Sequence, residues 1–182
     1  MREIRRRDRL LDEVRAAELL QTAEYGFLSL GAGTDGYAYG VPLNFVFVPA
    51  GEGPDPGEGA DNPASHLGTL WFHCAPEGHK LDCLLKDDRM SFCVVGRTEP
   101  VPEQFTTRYE SVIAFGRAAI VTDESQRIEG LRLLVRKYCP GLEKQGESYI
   151  SRSLHRTGVI RMEVKKITAK GKKKSVNLTV YC

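Results

Sequence analysis

The sequence lacks the features that mark membrane, secreted or nucleic-acid-binding proteins. No apolar run approaches the roughly 18 residues that span a bilayer, and no apolar stretch follows the charged N-terminus, Met1–Asp8, as a secretory signal requires. The net charge is only +2, too small to point to an acidic partner. The lysine cluster Lys170–Lys174 has no interleaved aromatic residues and is interpreted as a solvated turn. We therefore predict a cytoplasmic protein that binds neither nucleic acid nor membrane.

Metal-binding and nucleotide-binding motifs are missing as well. The five cysteines are odd in number and scattered, and none forms a CxxC pair or another close metal-ligand spacing. We predict reduced, structural thiols and no metal site, with an isolated reactive thiol as the alternative. Neither GxGxxG nor GxxxxGK[ST] occurs, so no dinucleotide fingerprint or P-loop supports a doubly wound sheet.

What remains is a chain of 182 residues, 41% of them hydrophobic, which suits one domain with a substantial core. The segment 49–66 is rich in Gly, Pro, Asp and Glu and has scarcely any large apolar side chain. Such a composition cannot bury enough surface to offset the entropy lost on ordering. We predict a single domain, 1–182, that carries a mobile hairpin insertion at 49–66.

Apolar periodicity predicts about six strands with two or three helices between them. The predicted helices are Asp12–Ala23, Glu77–Lys86 and a third that Asp123 caps, with Gln126 in capping-box position, and that ends at Pro140. The predicted strands are Tyr25–Leu30, Tyr37–Phe47, Leu67–Cys74, Met90–Val95, Tyr109–Val121 and Thr157–Thr168. Because the helices do not alternate regularly with the strands, the pattern favours an antiparallel α+β fold, and within it a small closed or half-closed barrel.

The segment Pro76–Leu81 follows a predicted strand and opens a predicted helix. Proline favours the first helical position, and the free amides and partial positive charge of a helix N-terminus attract anions. His79 and Lys80 in the first turn oppose this dipole unless an anion such as phosphate binds there. The alternative is that Lys80 extends into solvent and Glu77 balances its charge.

Three polar residues interrupt apolar strands and are further candidates for ligand contacts. Asn44, if buried, needs partners for its amide, which a heteroaromatic ring edge or a neighbouring backbone would supply. His73 is either a ligand contact or a hydrogen-bonded structural residue. Ser111 offers its hydroxyl either to a ligand or back to the sheet. Spacing alone does not decide between these alternatives.

Four segments match, in order, the motifs of one known family. Arg5–Arg9 matches its basic start, and Tyr39–Phe45 (YGVPLNF) matches its strand PYxVPLNF. Trp71–Asp82 matches the strand-to-helix element YFHxAxxGxK, and Tyr109–Gly116 matches YxSVxxxG. Over residues 5–172 the chain thus resembles the Nim (5-nitroimidazole resistance) reductases of the pyridoxamine 5'-phosphate oxidase-like superfamily.

The resemblance implies an antiparallel split β-barrel with flanking helices, which binds FMN at the interface of a homodimer. Carried over residue by residue, Lys80 would bind the FMN phosphate with His79 beside it, and Ser111 would reach the phosphate or ribityl region. Leu43 and Asn44 would face the isoalloxazine ring, and Phe72 and His73 would line the cofactor. The full set of implied cofactor-binding residues is Leu43, Asn44, Phe72, His73, His79, Lys80 and Ser111.

The resemblance also implies an activity. His73 matches a histidine that family members hold near the flavin and that is proposed to take part in nitroreductase chemistry, so it is the catalytic candidate. The implied reaction is FMN-dependent reduction of nitroimidazole-like or other small electron acceptors. Alternatives are a flavin-binding carrier or sensor without turnover, and a relative that binds the deazaflavin F420 or haem. The C-terminal Arg-containing motif of true pyridoxamine-phosphate oxidases is missing, which argues against vitamin B6 oxidation.

Overall fold

A computed structural model of the chain describes residues 5–32, 36–53 and 66–172. Within these residues, seven strands and four α-helices form, as expected of an α+β fold. In chain order they are α1 (Glu13–Thr22), β1 (Tyr25–Ala32), β2 (Ala38–Asn44), β3 (Val46–Pro49), β4 (Gly68–Cys74), α2 (His79–Lys86), β5 (Arg89–Val101), β6 (Thr106–Ile120), α3 (Glu124–Tyr138), α4 (Glu143–Ser153) and β7 (Gly158–Gly171).

The seven strands form one antiparallel sheet in the order β2-β1-β5-β6-β7-β4-β3. Its two edge strands, β2 and β3, are consecutive in the chain, and only Phe45 separates them. A flat sheet of this width would place its edges roughly 29 Å apart at about 4.8 Å per strand, far beyond the reach of one residue. The sheet is therefore rolled until its edges meet, which confirms the predicted barrel.

The break at Phe45 was not predicted from the sequence, which indicated one strand over Tyr37–Phe47. The Phe45 N–H donates to the hydroxyl of Tyr138, at 2.9 Å. That hydroxyl also lies 2.6 Å from the Glu24 carbonyl oxygen and 2.7 Å from that of Phe45, to one of which it donates. A side chain from α3 thus satisfies the backbone that a continuous strand would have paired, and the strand divides in two.

Aromatic side chains fill the interior of the barrel. Phe45, Phe72 and Phe92 are fully buried, and the rings of Phe45 and Phe72 meet Phe92 edge to face at 4.7 and 5.0 Å. Burying one such side chain contributes about 1.5–3 kcal/mol. Leu19 and Leu20 of α1 close the same core from one side. The Asp12 carboxylate caps this helix by accepting from the Arg15 N–H at 2.7 Å, which confirms the predicted first helix.

Helices α3 and α4 cover part of the outer face of the sheet and enclose a second core. Trp71 of β4 is 2% exposed and packs there with Leu131, Leu134 and Ile150. A methyl group at Gly130 would lie 2.6 Å from the Trp71 ring, so glycine lets α3 approach the strand closely. Helix α4 was not predicted. No helix among the described residues is long and apolar enough to cross a membrane.

The predicted mobile insertion at 49–66 lies largely outside the described residues, which include only 49–53 and His66 of that segment. Its mobility and the single-domain assignment therefore stay predictions. The strand predicted over Met90–Val95 is confirmed and is longer than predicted, since β5 continues to Val101 and pairs with β6 over most of its length.

Lys137 of α3 has a charged group whose burial is unfavourable. Its ammonium nitrogen is buried and has no hydrogen-bond partner within the described part of the chain. It lies 4.0 Å from the centroid of the Phe45 ring, where the cation–π attraction returns part of the cost of burial. Burial lowers the pKa of Lys137 to about 8.

Replacing Lys137 by methionine is therefore expected to stabilise the fold. A pKa that falls from 10.5 to about 8 sets an upper limit of roughly 3 kcal/mol. Because the side chain is only half-buried, we expect about 1 kcal/mol, or about 2–4 °C in Tm, at pH 7. The gain should be full below pH 8 and vanish as the pH rises towards 10.5, where the lysine is neutral in both states. Urea titrations of both proteins at pH 7 and pH 10.5 measure this difference in the free energy of unfolding. A variant less stable than the wild type at pH 7 would show that the contact with Phe45 outweighs the cost of burying the charge.

Candidate functional site

The strand-to-helix element predicted from the sequence is present, but its helix begins later than expected. Residues 75–78 form a bend after β4, and α2 begins at His79, not at Pro76 or Glu77. Gly78 has a φ of 122°, a conformation that residues with a Cβ rarely adopt, and this ends the bend. The first two helical residues are thus His79 and Lys80, whose N–H groups have no partner inside the helix. No side chain caps this helix N-terminus.

His79 fixes α2 against β2, across the split between the two halves of the barrel. Its ring meets that of Tyr39 edge to face, with centroids 4.7 Å apart. On the other side, its Nε2 lies 3.6 Å from the Sγ of Cys83, one turn further along α2. Tyr39 belongs to the YGVPLNF segment, but nothing in its spacing indicated this contact. The helix start is therefore held beside the edge strand that carries Leu43 and Asn44.

His73 lies on the outer face of β4, next to this helix start. Its side chain is partly exposed and partly surrounded by protein, and it has no hydrogen-bond partner among the described residues. The protein that surrounds the ring disfavours its charged form, and the nearby Lys80 ammonium repels it. Both effects lower the pKa of His73, burial more than Lys80. Both the surrounding protein and Lys80 thus favour the neutral imidazole over the imidazolium.

Asn44 and His73 line one cavity of about 370 Å³, whose other walls are α3 and α4. Asn44 is exposed at the end of β2, so its amide does not meet the condition of burial. Its amide nitrogen donates to the Glu24 carbonyl oxygen at 2.9 Å, the neighbouring-backbone alternative. Tyr138 and Tyr149 from the two helices also line this cavity, and the sequence gave no signal for either.

The other predicted site residues are placed differently. Leu43 is half-buried and packs against the barrel core. Phe72 alternates with His73 along β4, so its side chain points into the barrel and is fully buried. Four predicted side chains therefore gather at the split between β2 and β4: Asn44, His73, His79 and Lys80. Leu43 and Phe72 support them from inside.

Ser111 lies far from this group in its own chain. It is paired with Lys170 of β7, whereas His73 is paired with Val159 of the same strand. Eleven residues separate Lys170 from Val159, which corresponds to roughly 35 Å along a strand. The structure of one chain therefore does not bring Ser111 to the helix start at Lys80.

An exposed apolar surface surrounds Ser111 instead. Ser111 is directly opposite Val95 in the β5–β6 pair, and Cys93 is opposite Phe27 in the β1–β5 pair, so these side chains share the outer face. On that face Tyr25, Phe27 and Val95 are 64%, 47% and 58% exposed. We call this the β1–β5 face. A cavity of about 500 Å³ opens onto it.

Comparison with known proteins gives a family and a fold. The sequence matches the pyridoxamine 5'-phosphate oxidase family over residues 12–171. No curated protein sequence matches the chain. Within the described residues, no cluster of His, Cys, Asp or Glu side chains could hold a metal ion.

Several solved structures are similar. A conserved hypothetical protein from Mycobacterium tuberculosis has a TM-score of 0.71 at 14% identity, covering 98% of this chain and 100% of that one. An FAD and heme binding protein from Mycobacterium smegmatis has a TM-score of 0.68 at 16% identity, covering 89% and 72%. A candidate 5-nitroimidazole antibiotic resistance protein from Bacteroides thetaiotaomicron has a TM-score of 0.63 at 20% identity, covering 90% and 86%. At these identities the likenesses show a common fold.

Proposed function

The chain belongs to the pyridoxamine 5'-phosphate oxidase family, and on that premise we propose that it is a Nim-like, FMN-dependent reductase of small aromatic electron acceptors. The observation that carries the proposal is the cationic helix start at Lys80 beside the unpartnered His73, at the edge of a cavity. Proteins of the same fold are named for FAD and heme binding and for 5-nitroimidazole resistance. These names support a flavin cofactor and a nitroaromatic acceptor.

The residues at the start of α2 fit the phosphate of FMN. The N-cap residue is Gly78, and no side chain caps the helix, so the first N–H groups are free to bind an external acceptor. Lys80 adds a positive charge where the helix dipole is already positive, an arrangement that an anion stabilises. Lys80 and these amides would hold the phosphate, while Asn44 and His73 lie further along the split towards the cavity.

The flavin, when bound, would supply the hydride and electron transfer, and the protein would supply orientation and protons. His73 is the histidine that lines the cavity, and its imidazole is a side chain suited to exchanging a proton with a substrate. A phosphate at Lys80 would compensate the positive charge that repels the imidazolium, and so remove one of the two causes that lower the pKa of His73. Cofactor binding would thus help His73 to hold a proton at the edge of the cavity.

The β1–β5 face supports the second part of the proposal, a homodimer with FMN at the subunit interface. Contiguous exposed apolar surface marks sites of protein association, and Ser111 lies within this face opposite Val95. Since Ser111 is roughly 35 Å from His73 along the strands of its own chain, it can join the phosphate site only from a second chain. A twofold axis through the β1–β5 face would generate two equivalent FMN sites.

Co-expression of two variants tests this shared site. Lys80→Ala removes the phosphate cation, and Ser111→Asp places a repelling carboxylate on the partner's side, so each homodimer should bind FMN poorly. In a mixed dimer one site collects both changes and the other collects neither, because Lys80 and Ser111 come from different chains. Mixed dimers purified through two different tags should therefore carry about half the wild-type FMN. Mixed dimers as empty as the two homodimers would place both residues in one chain.

The activity itself is tested on the purified protein. A flavin absorption spectrum, with FMN identified by mass spectrometry after release, would establish the cofactor against haem, FAD and F420. Anaerobic reduction followed by addition of a nitroarene should then reoxidise the protein. A protein that holds FMN but is not reoxidised by nitroarenes, quinones or other small acceptors would be a flavin carrier or sensor, and the reductase proposal would be wrong.

A further inference from the structure

The cavity between α3 and α4 has the composition of a binding site for an aromatic ring. Its volume of about 370 Å³ lies at the lower end of the range for small-molecule sites. Leu131, Leu134, Val135 and Ile150 form an apolar wall, and the rings of Tyr138 and Tyr149 complete it. Among its described lining residues there is no lysine, arginine, aspartate or glutamate. A neutral, mainly apolar ligand fits this surface.

The polar groups of the cavity are unequal in what they offer a ligand. The Ser153 hydroxyl donates to the backbone carbonyl oxygen of Tyr149 at 2.8 Å. The Thr157 hydroxyl donates to the backbone carbonyl oxygen of Ser153, also at 2.8 Å. The Tyr138 hydroxyl is engaged with the backbone at the Phe45 break. His73, in contrast, has no partner among the described residues. Hydrogen bonding is thus available from His73, near Lys80, whereas the wall formed by Leu131, Leu134, Val135 and Ile150 is apolar.

We infer that this cavity binds the ring of the aromatic substrate, with its polar substituent directed towards His73 and Asn44. The inference rests on the proposed reductase function and adds to it the cavity that binds the ring, the residues that line it, and a selectivity for neutral compounds of one or two rings. Tyr149 stands at the mouth, 60% exposed, where its ring can stack against the ligand edge to face or offset. The polar end faces the position proposed for the flavin.

This inference also gives α4 a role. Its residues Tyr149, Ile150 and Ser153 form one side of the cavity, and α4 is held to α3 by a bidentate ion pair between Arg132 and Glu147, at 2.7 and 2.8 Å. The helix is polar elsewhere. Besides burying Ile150 in the second core, α4 therefore serves as one wall of this cavity.

The test fills the cavity without touching the proposed flavin site. Cys139 lines the cavity from the exposed end of α3, so Cys139→Phe should occupy it, and Cys139→Ser is the matched control. With the FMN-loaded dimer and 4-nitrobenzyl alcohol as substrate, we expect Cys139→Phe to raise KM about ten-fold or more, equivalent to at least about 1.4 kcal/mol. FMN content and reoxidation by ferricyanide, which needs no apolar cavity, should stay at the wild-type level. Tyr149→Ala should raise KM several-fold, and Tyr149→Phe should restore it.

A second measurement does not depend on turnover. Trp71, the single tryptophan of the chain, packs in one cluster with Leu131, Leu134 and Ile150, so its fluorescence should be quenched when a nitroarene enters. Cys139→Phe should shift the quenching midpoint to higher nitroarene concentration by the same factor as KM. Equal KM and midpoint in Cys139→Phe and Cys139→Ser would overturn the inference. If the wild type lacks flavin or nitroarene turnover, the proposed function fails, and the quenching titration alone still decides whether the cavity binds the ring.

Discussion

His73→Ala is expected to slow the reduction of a nitroaromatic substrate by the pre-reduced protein about 10²–10⁴-fold, the usual contribution of a general acid. The side chain lies near Lys80, lines the cavity and has no hydrogen-bond partner among the described residues. Its imidazole can carry and release a proton, as proton transfer to a nitro group requires. On the proposed binding mode FMN should stay bound and the dimer intact, because Lys80 and the amides of α2, not His73, would hold the phosphate.

Single-turnover reoxidation of the reduced flavin by the nitroaromatic substrate, under anaerobic conditions, measures the rate of substrate reduction alone. The step in which an electron donor reduces the flavin does not enter this rate. His73→Gln is the matched control, since glutamine keeps the size and a hydrogen-bond donor but cannot deliver a proton. Both variants should be slow. The wild-type rate should fall as the pH rises through the pKa of His73, because the acid form is then lost, and the variants should lack this dependence. Burial and Lys80 both lower that pKa. The phosphate of bound FMN would offset only the Lys80 contribution, so burial should still place the fall below the ordinary histidine range.

Two outcomes would change the assignment. A variant that binds FMN and reduces nitroarenes at the wild-type rate would leave His73 as a surface residue without a catalytic role. A variant that loses FMN would make His73 a cofactor ligand first. In that case His73→Gln distinguishes the two roles, because glutamine can keep a hydrogen bond to FMN but cannot deliver a proton to the substrate.

Local signals in the sequence were sufficient for much of the fold. Asp123 and Gln126 predicted the start of α3, and the Asp123 carboxylate does accept from the Gln126 N–H at 2.8 Å. The division of the second strand was out of reach, because the hydroxyl that causes it belongs to Tyr138, 93 residues from Phe45. Helix α4 was missed for a similar reason. Few of its residues are apolar, and contacts with α3, such as that of Glu147 with Arg132, stabilise it more than its own sequence does.

The candidate site shows the same division between local and distant information. His73, His79 and Lys80 come together because one strand, one bend and one helix start carry them within eight residues. The position of Ser111 depends on the registers of β5, β6 and β7, which apolar alternation along single strands does not specify. Motif resemblance could therefore assign Ser111 to the cofactor, but only the sheet registers show that Ser111 lies far from His73 within one chain.

Lys80→Ala is expected to weaken FMN binding by about 1.5–3 kcal/mol, the range for a hydrogen bond to a charged group, or roughly ten- to a hundred-fold in Kd. The matched control is Lys86→Ala. It removes the same charge from the same helix, but at the C-terminal end, where a phosphate would not bind. Titration of the apoprotein with FMN, followed by flavin fluorescence, gives both Kd values. Added salt should weaken wild-type binding more than that of Lys80→Ala, since the screened attraction is absent from the variant.

The same substitution has a consequence that does not involve FMN. Because the Lys80 ammonium is one of the two causes that lower the pKa of His73, Lys80→Ala should raise that pKa in the apoprotein, and Lys86→Ala should leave it in place. Titration of the histidine ring signals by NMR measures both. A raised His73 pKa with unchanged FMN affinity would confirm that the two side chains are neighbours but would remove the phosphate from Lys80. Weakened FMN binding with an unchanged His73 pKa would instead separate the phosphate site from the proposed proton donor, and the coupling between cofactor binding and proton supply would be wrong.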